Sequence, residues 1–431
     1  MAPSLDGESR DQVRLGQLEQ LQMLLNRAYL NVDFYRRRMD RLGLQPEDIA
    51  TFEDFRRFPF TTSGDLAAHY PYGLFAVPLK SVVRLKITHS RDGSPVVVGF
   101  TRRDIQLWQN LMARLYTQLG VTDRDIVQVA YNYSLFPGAF TFNHAAEQIG
   151  ATLAPSAMTS ATLQLKIMQD FRSTVLATTP SFAVHILSTL KAARNGRIGQ
   201  VKSDLRLLLL GPEPVPDETR KLLHDGLQAE VHGLYGVSEM IEPGIAGECR
   251  AGSGYHLAEE HFLAEIVHPV SGQPVPAGQE GELVITTLAA EAYPLIRYRT
   301  GDVTVLRETP CACGRGGARL GEILRRTDDR LSIRGIPCYP AQIGNILRGL
   351  DPSISDFRLL VHRRFGLGDH LDILVARADG RRLAADSRGA DLDQMRSTLR
   401  RVLGFGARLQ IVAAADLPAP GLIEKTVFLD T

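Results

Sequence analysis

Asp302 and a set of cysteines are the side chains best placed by type and spacing to do chemistry. Asp302 closes the run Tyr298-Arg299-Thr300-Gly301-Asp302. That run follows an apolar, β-rich stretch, Gly281 to Leu288, and precedes a short strand from Val303 to Leu306. Gly301 allows a tight turn, so the carboxylate stands at the lip of the next strand. There it can accept two hydrogen bonds from a vicinal diol such as a ribose. The bland alternative is a surface hairpin that happens to carry Thr-Gly-Asp. Cys249 has His256 seven positions on, and Cys311 and Cys313 share a Pro-Cys-Ala-Cys-Gly-Arg turn. Three thiolates and one imidazole would complete a closed, structural Cys3His zinc site. The spacing is not a standard zinc-finger signature. Cys338 lies apart and reads as an ordinary buried residue.

These groups need a scaffold, and the chain spells one out. Leucines at 15, 18, 21, 24 and 25 recur at helical spacing, so residues 11–43 read as helix, with Asn31 to Tyr35 reading as a helix end or connector. Another helix opens at Ser63-Gly64-Asp65. Strands over 82–87 and 96–100 flank the loop 88–95, and a long helix runs from Thr101 through Gln118. Further strands end near Ala130, Pro155, Thr178, Leu210 and Tyr235, separated by helices near 143–149, 160–171 and 217–227. Alternation of this kind predicts a largely parallel, covered sheet. The aromatic run Tyr131 to Phe140 follows one strand, where an α/β sheet binds ligands; core filling is its other reading.

Composition narrows the class. The 431 residues allow two or three domains, and the net charge of +1 gives no reason to expect nucleic acid or an anionic membrane. No apolar run approaches the ~18 residues of a membrane span. The polar, acidic start is unlike a secretory leader, and four cysteines do not make a disulfide scaffold. A cytoplasmic protein is expected.

Several motifs, in order, resemble those of the adenylate-forming superfamily of acyl-CoA synthetases and adenylation domains, and within it the phenylacetate–CoA ligase branch. Tyr298 to Asp302 is similar to the ribose-binding motif. Gly211-Pro212-Glu213-Pro214 resembles a loop that touches adenine. Tyr235-Gly236-Val237-Ser238-Glu239 resembles Tyr-Gly-x-Thr-Glu. The resemblance implies Tyr235 against adenine or substrate, Ser238 on the α-phosphate and Glu239 on Mg2+. Arg326-Thr327-Asp328-Asp329 through Arg334-Gly335 resembles the hinge between domains, with Arg325 in place of a glycine. Arg326 would reach ribose and phosphate, Asp328 would be the pivot, and Arg334-Gly335 would face the thiol donor. Lys425 falls where relatives carry the adenylating lysine, beside Glu424 instead of glycine; a plain strand lysine is the alternative. Tyr131, Phe136, Gly138, Ala139, Phe140 and Gly233 would line an aromatic-acid pocket. Relatives also carry Cys, His and Cys-x-Cys at matching places, which favours structural Zn2+.

The fold implied is the α/β adenylate-forming one: a large domain over 1–325 joined by a hinge to a small mobile α+β domain over 326–431. The ligands implied are an aromatic carboxylate (benzoate, anthranilate or phenylacetate in size), ATP or AMP, and coenzyme A. A homodimer is allowed. One loop departs from the family pattern. Where small residues would wrap the β- and γ-phosphates of ATP, His89, Arg91 and Asp92 intrude, and only Ser90, Gly93 and Pro95 fit. Either the loop has drifted without consequence or a triphosphate is no longer gripped. The second option predicts an enzyme that moves an aryl group from coenzyme A to an acyl carrier protein through aryl-AMP. Its rivals are a conventional ATP-dependent aryl-acid–CoA ligase and a non-catalytic protein that binds aryl-AMP or aryl-CoA.

Overall fold

The computed structural model describes residues 9–133, 138–195, 203–252, 254–333, 336–364, 368–378, 389–413, 416–417 and 423–428. The first helix, Arg10–Asn31, opens on a capping box in which Ser9 and Gln12 satisfy each other's backbone N–H groups. The helical stretch expected over 11–43 is two helices, divided within the Asn31 to Tyr35 segment that reads as a helix end. Val32 is extended (φ −124°, ψ 103°), and the second helix, Asp33–Leu42, sets off from it. The break has a packing cause. It lets the buried Tyr35 reach the strand that leads to the Thr-Gly-Asp run, where its hydroxyl donates to Pro294 O (3.0 Å) and accepts from Ile296 N (3.3 Å).

A single mixed sheet organises the large unit. Strands Thr152–Pro155, Ile126–Ala130, Val175–Thr178, Leu207–Leu210 and Glu230–Tyr235 lie side by side and parallel. Leu207 to Leu210 are all fully buried, as expected of a strand covered on both faces. The expectation of a largely parallel sheet holds only this far. Beyond Glu230–Tyr235 the sheet continues antiparallel through Ala246–Glu248, Tyr255–Leu257, Arg319–Leu320, Tyr298–Arg307, Glu280–Thr287 and Phe262–Val267. Most of these neighbours are consecutive in sequence and joined by connections without helices, so they pair antiparallel; the exception is Tyr255–Leu257 with Arg319–Leu320, which closes the far strands onto the sheet.

A separate hairpin, Val82–His89 with Pro95–Thr101, stands off this sheet. Its first strand is inverted: Val83, Leu85 and Ile87 face out, whereas Lys86 and Thr88 are buried. The small unit has its own core around Leu331, Ile343, Leu359, Ile373 and Leu399. Its four-stranded sheet runs Arg408–Ile411, Gly368–Arg377, Ile354–Arg364, Ile423–Phe428, with helices Pro340–Leu350 and Gly389–Leu403. Cys338 belongs to that core, as expected, and burial pushes its thiol up to about 12. Among the described residues no helix is long and apolar enough to cross a membrane.

Candidate active site

The Thr-Gly-Asp run lies inside a strand, not in the turn that the sequence suggests. Arg299 opposes Val284 and Val303 opposes Glu282, so Thr300, Gly301 and Asp302 bulge against Leu283 alone. Gly301 takes φ +78°, and a Cβ there would sit 2.6 Å from Arg326 Nη2. A larger residue is thus barred by both conformation and space. The bulge is pinned by Thr300 Oγ1 donating to Leu283 O (2.8 Å) and by Asp302 N donating to Thr300 Oγ1 (3.1 Å).

Asp302 is buried and held from two sides. Tyr235 Oη donates to Oδ2 (2.7 Å), and Arg326 Nη1 pairs with Oδ1. Arg326 continues to Asp328 through Nε (2.6 Å) and Nη2 (2.8 Å), and to Thr300 O (2.8 Å). Burial works against the Arg326 charge, but Asp302 and Asp328 outweigh it and its pKa stands raised. Burial likewise pushes the Asp328 carboxyl up, yet Arg326 holds it below the usual carboxylate range. Arg326 thus clamps the bulge while still lining the cavity beside it. Each oxygen of Asp302 keeps a lone pair for a further hydrogen bond.

These groups open onto a cavity of about 810 Å³ between the two units, lined among others by Pro212, Tyr235, Gly236, Asp302 and Arg330. Glu213 also lines it, but its carboxylate accepts from Ser181 N (2.8 Å) and Oγ (2.8 Å), capping the helix behind. Gly211 lies against Leu234 O, beneath the same wall. Ser238 Oγ is buried with no hydrogen-bond partner. Glu239 is buried too; burial raises its carboxyl pKa, opposed by the Arg330 charge.

The expected aromatic pocket is only partly assembled. Tyr131 is a core fastener, its hydroxyl 2.7 Å from Thr178 O and 2.9 Å from Gly211 O and its ring stacked on Phe142. Gly233 sits beneath Tyr255, whose hydroxyl would be 2.7 Å from an added Cβ and whose side chain lines the cavity between the two units. Gly138 and Ala139 are buried at the start of helix Ala139–Gln148, and Phe140 is half exposed under the Arg84 guanidinium. Phe136, Arg334 and Gly335 fall outside the described residues. Lys425 lies on the edge strand Ile423–Phe428, paired with Val361; its side chain is also outside them.

Two residues were missed. Lys86 is buried with Nζ 3.7 Å from Glu242, and burial lowers its pKa against the pull of Glu242 and Glu239. The signal was available: in Val83-Arg84-Leu85-Lys86-Ile87 the apolar positions alternate with basic ones, and a neighbouring pocket inverts which face is buried. Arg330, at a variable position of the hinge motif, carried no such signal.

The departing loop is closed on itself. Asp92 takes the Ser90 hydroxyl and the Ser94 N–H (3.0 Å), and these bonds hold its carboxyl below the usual range. Gly93 (φ +83°) abuts the small unit so closely that a Cβ would be 2.7 Å from Gln342 Cα. Arg91 pairs with Asp329 (3.3 Å), and Asn345 Nδ2 donates to Asp92 O (3.3 Å).

The cysteine cluster is assembled as expected. Ligand atoms of Cys249, His256, Cys311 and Cys313 all lie within 4.8 Å of one another. Cys249 and Cys311 Sγ are 3.7 Å apart, and Cys313 Sγ is 3.5 Å from His256 Nε2. Ligands around a tetrahedral zinc, with bonds of about 2.3 Å to sulfur and 2.0 Å to nitrogen, have edges of that length. A disulfide is far shorter. The four donors fit a structural zinc ion.

An AMP-binding enzyme family model matches residues 106–289. The phenylacetate–coenzyme A ligase of Thermus thermophilus is 38% identical over 374 residues, covering 86% of this chain and 83% of the relative. That of Escherichia coli K12 is 34% identical over 419 residues, covering 96% and 94%. A solved 2-hydroxyisobutyryl-CoA ligase, in complex with 2-HIB-AMP and CoA in the thioesterification state, superposes with TM-score 0.86 at 25% identity, over 98% of this chain and 91% of that one. The same ligase in its postadenylation state reaches only 0.69 over the same coverage. The setting of the two units here is therefore nearer that of the first of these structures than that of the second.

Proposed function

The chain belongs to the phenylacetate–coenzyme A ligase family of AMP-binding enzymes, and on that premise we propose that it interconverts aromatic acyl thioesters and acyl adenylates. Asp302 holds the ribose, Ser238 meets the phosphate, and the acyl carbonyl lies between them and an entering thiol. In the forward step the C–S bond forms as the mixed-anhydride C–O bond breaks; AMP leaves and the thiol proton passes to solvent. Coenzyme A is one thiol. The phosphopantetheine of an acyl carrier protein is the second, so that AMP acts catalytically in moving the aryl group between them. The hinge is Asp328, with the small domain beyond it.

One observation carries the finer reading: Asp92 occupies the hydroxyl and N–H that a triphosphate loop would offer. A fixed anion there repels the β- and γ-phosphates, so ATP-driven ligation is weak. Glu239 and Glu242 are oxygen ligands of the type magnesium takes. Here Lys86 stands 3.7 Å from Glu242 and Arg330 bears on Glu239. Glu239 and Glu242 would hold magnesium beside these cations, and the thiol half runs without it.

The test mixes an aryl-CoA, sub-stoichiometric AMP and a pantetheinylated carrier protein, then weighs the carrier. An AMP-dependent mass gain of one aryl group, with little pyrophosphate exchange into ATP, is expected. Strong exchange and no carrier loading would instead establish the conventional ligase, the reading favoured by identity to such ligases along nearly the whole chain. Tight binding of aryl-AMP with neither activity would leave a sensor. Metal analysis tests the zinc separately: one ion per chain, lost in Cys311→Ser and kept in Cys338→Ser.

A further inference from the structure

Three arginines line the nucleotide cavity: Arg325, Arg326 and Arg330. Arg325 leans outward and pairs with Glu280 (3.2 Å). Arg326 is committed to Asp302, Asp328 and Thr300 O. Arg330 differs. Its backbone N–H donates to Asp328 Oδ1 (3.3 Å), but among the described residues its guanidinium makes no ion pair. Burial and the Arg326 charge oppose its own charge, and Asp302, Tyr339 and Glu239 more than offset them. A five-donor planar fork is thus held charged on a cavity wall without a partner of its own. Adjacent in sequence to Glu239, whose charge bears on Arg330, the buried hydroxyl of Ser238 is a second donor with no hydrogen-bond partner among the described residues. Two vacant donors, one of them cationic, describe a receptor for an anionic oxygen.

We propose that Arg330 binds the phosphate of the acyl adenylate and offsets the charge that remains on AMP as the thiol displaces it, an inference that rests on the acyl-adenylate reading above. Its position ties the effect to one half of the reaction. Arg330 lies two residues past Asp328, so it travels with the small domain, and the present arrangement is nearer that of the thioesterification state than that of the postadenylation state. When the small domain turns away, this cation leaves with it. Arg330 is therefore a catalytic residue of the thiol half alone.

The experiment uses the full chain as wild type, Arg330→Met and Arg330→Lys. Binding of AMP and of adenosine is measured by calorimetry, and thiolysis of supplied aryl-AMP by coenzyme A is followed alongside. Arg330→Met should lose about 10- to 100-fold in affinity for AMP and little for adenosine, as befits one charge-assisted contact. It should slow thiolysis by about a hundredfold, and Arg330→Lys should recover part of both. An unchanged preference for AMP over adenosine in Arg330→Met would overturn the proposal. Equal losses for the two ligands would overturn it too, since they would mark a merely structural residue. If wild type binds AMP but fails at thiolysis, the functional reading falls, while the AMP-to-adenosine comparison still decides Arg330.

Discussion

The bulge at Asp302 and the loop at Asp92 use the same materials to opposite ends. Each has an aspartate anchored by hydroxyl and N–H or N⁺–H donors, beside a glycine with positive φ, Gly301 pressed against Arg326 and the hinge and Gly93 against the small unit. At the bulge the donors come from elsewhere in the chain: Tyr235 is 67 positions away and Arg326 is 24 away. The carboxylate is held at the mouth of a cavity with capacity to spare. At the loop the donors are Ser90 and Ser94, so the carboxylate consumes the groups a phosphate would need. A binding site stays open when its polar groups are oriented by distant partners. It closes when they satisfy their neighbours.

Removing Asp302 should have the largest effect. Asp302→Ala takes away the ribose acceptor and strands Arg326 and Tyr235, and an activity loss of at least about a hundredfold is expected in AMP-dependent breakdown of aryl-CoA. Asp92→Ala should leave that same assay nearly untouched. Equal losses would erase the distinction between the two regions.

The paired glycines sharpen it further. Gly301→Ala drives a Cβ into Arg326 and Asp328, with strain of roughly 1–3 kcal/mol from its φ, and should weaken AMP binding about tenfold or more. Gly93→Ala disturbs only the seat of the small domain. Calorimetry should find AMP affinity kept, while thiolysis of aryl-AMP slows.

Opening the loop is the third probe. Asp92→Ser frees the Ser94 N–H and removes a fixed anion, and pyrophosphate exchange should rise about tenfold. No rise would mean that Asp92 is not what turns the triphosphate away.

Acid should separate the regions least. Asp328 and Asp92 both have folded pKa values below the usual range, Asp328 because Arg326 outweighs its burial and Asp92 through Ser90 and Ser94. Each therefore contributes stability that is present above about pH 4 and is lost as pH falls through the folded value. Melting temperature should show nothing from either group between pH 7 and 5. Asp328→Asn should shrink the loss below about pH 4 more than Asp92→Asn does, because Asp328 is the more enclosed.

Much of this was legible in the chain before folding. The helix Asp217–Leu227 matches its sequence expectation end to end, and the parallel strands announce themselves as short apolar runs. The loop's intruding residues were equally visible. The segment Asn31 to Tyr35 reads as a helix end, but the partners that Tyr35 meets across the break, Pro294 and Ile296, were not legible, because they lie 259 and 261 positions away. Nor were the partners of Tyr131: a core-filling reading leaves open which backbone oxygens, 47 and 80 positions along, its hydroxyl meets.

The sequence by itself determined the order of motifs, the ligand types at the metal cluster and the presence of an aspartate where a phosphate loop should be empty, since these depend on residue identity and local spacing. Tertiary structure alone decided that the Thr-Gly-Asp run is a bulge, that Cys249 meets Cys311 across 62 positions, and that Arg326 is engaged while Arg330 has no ion pair among the described residues. The physical reason is range. Residue type sets what a group can bond, but its partner is fixed by register, packing and the seating of one domain on another.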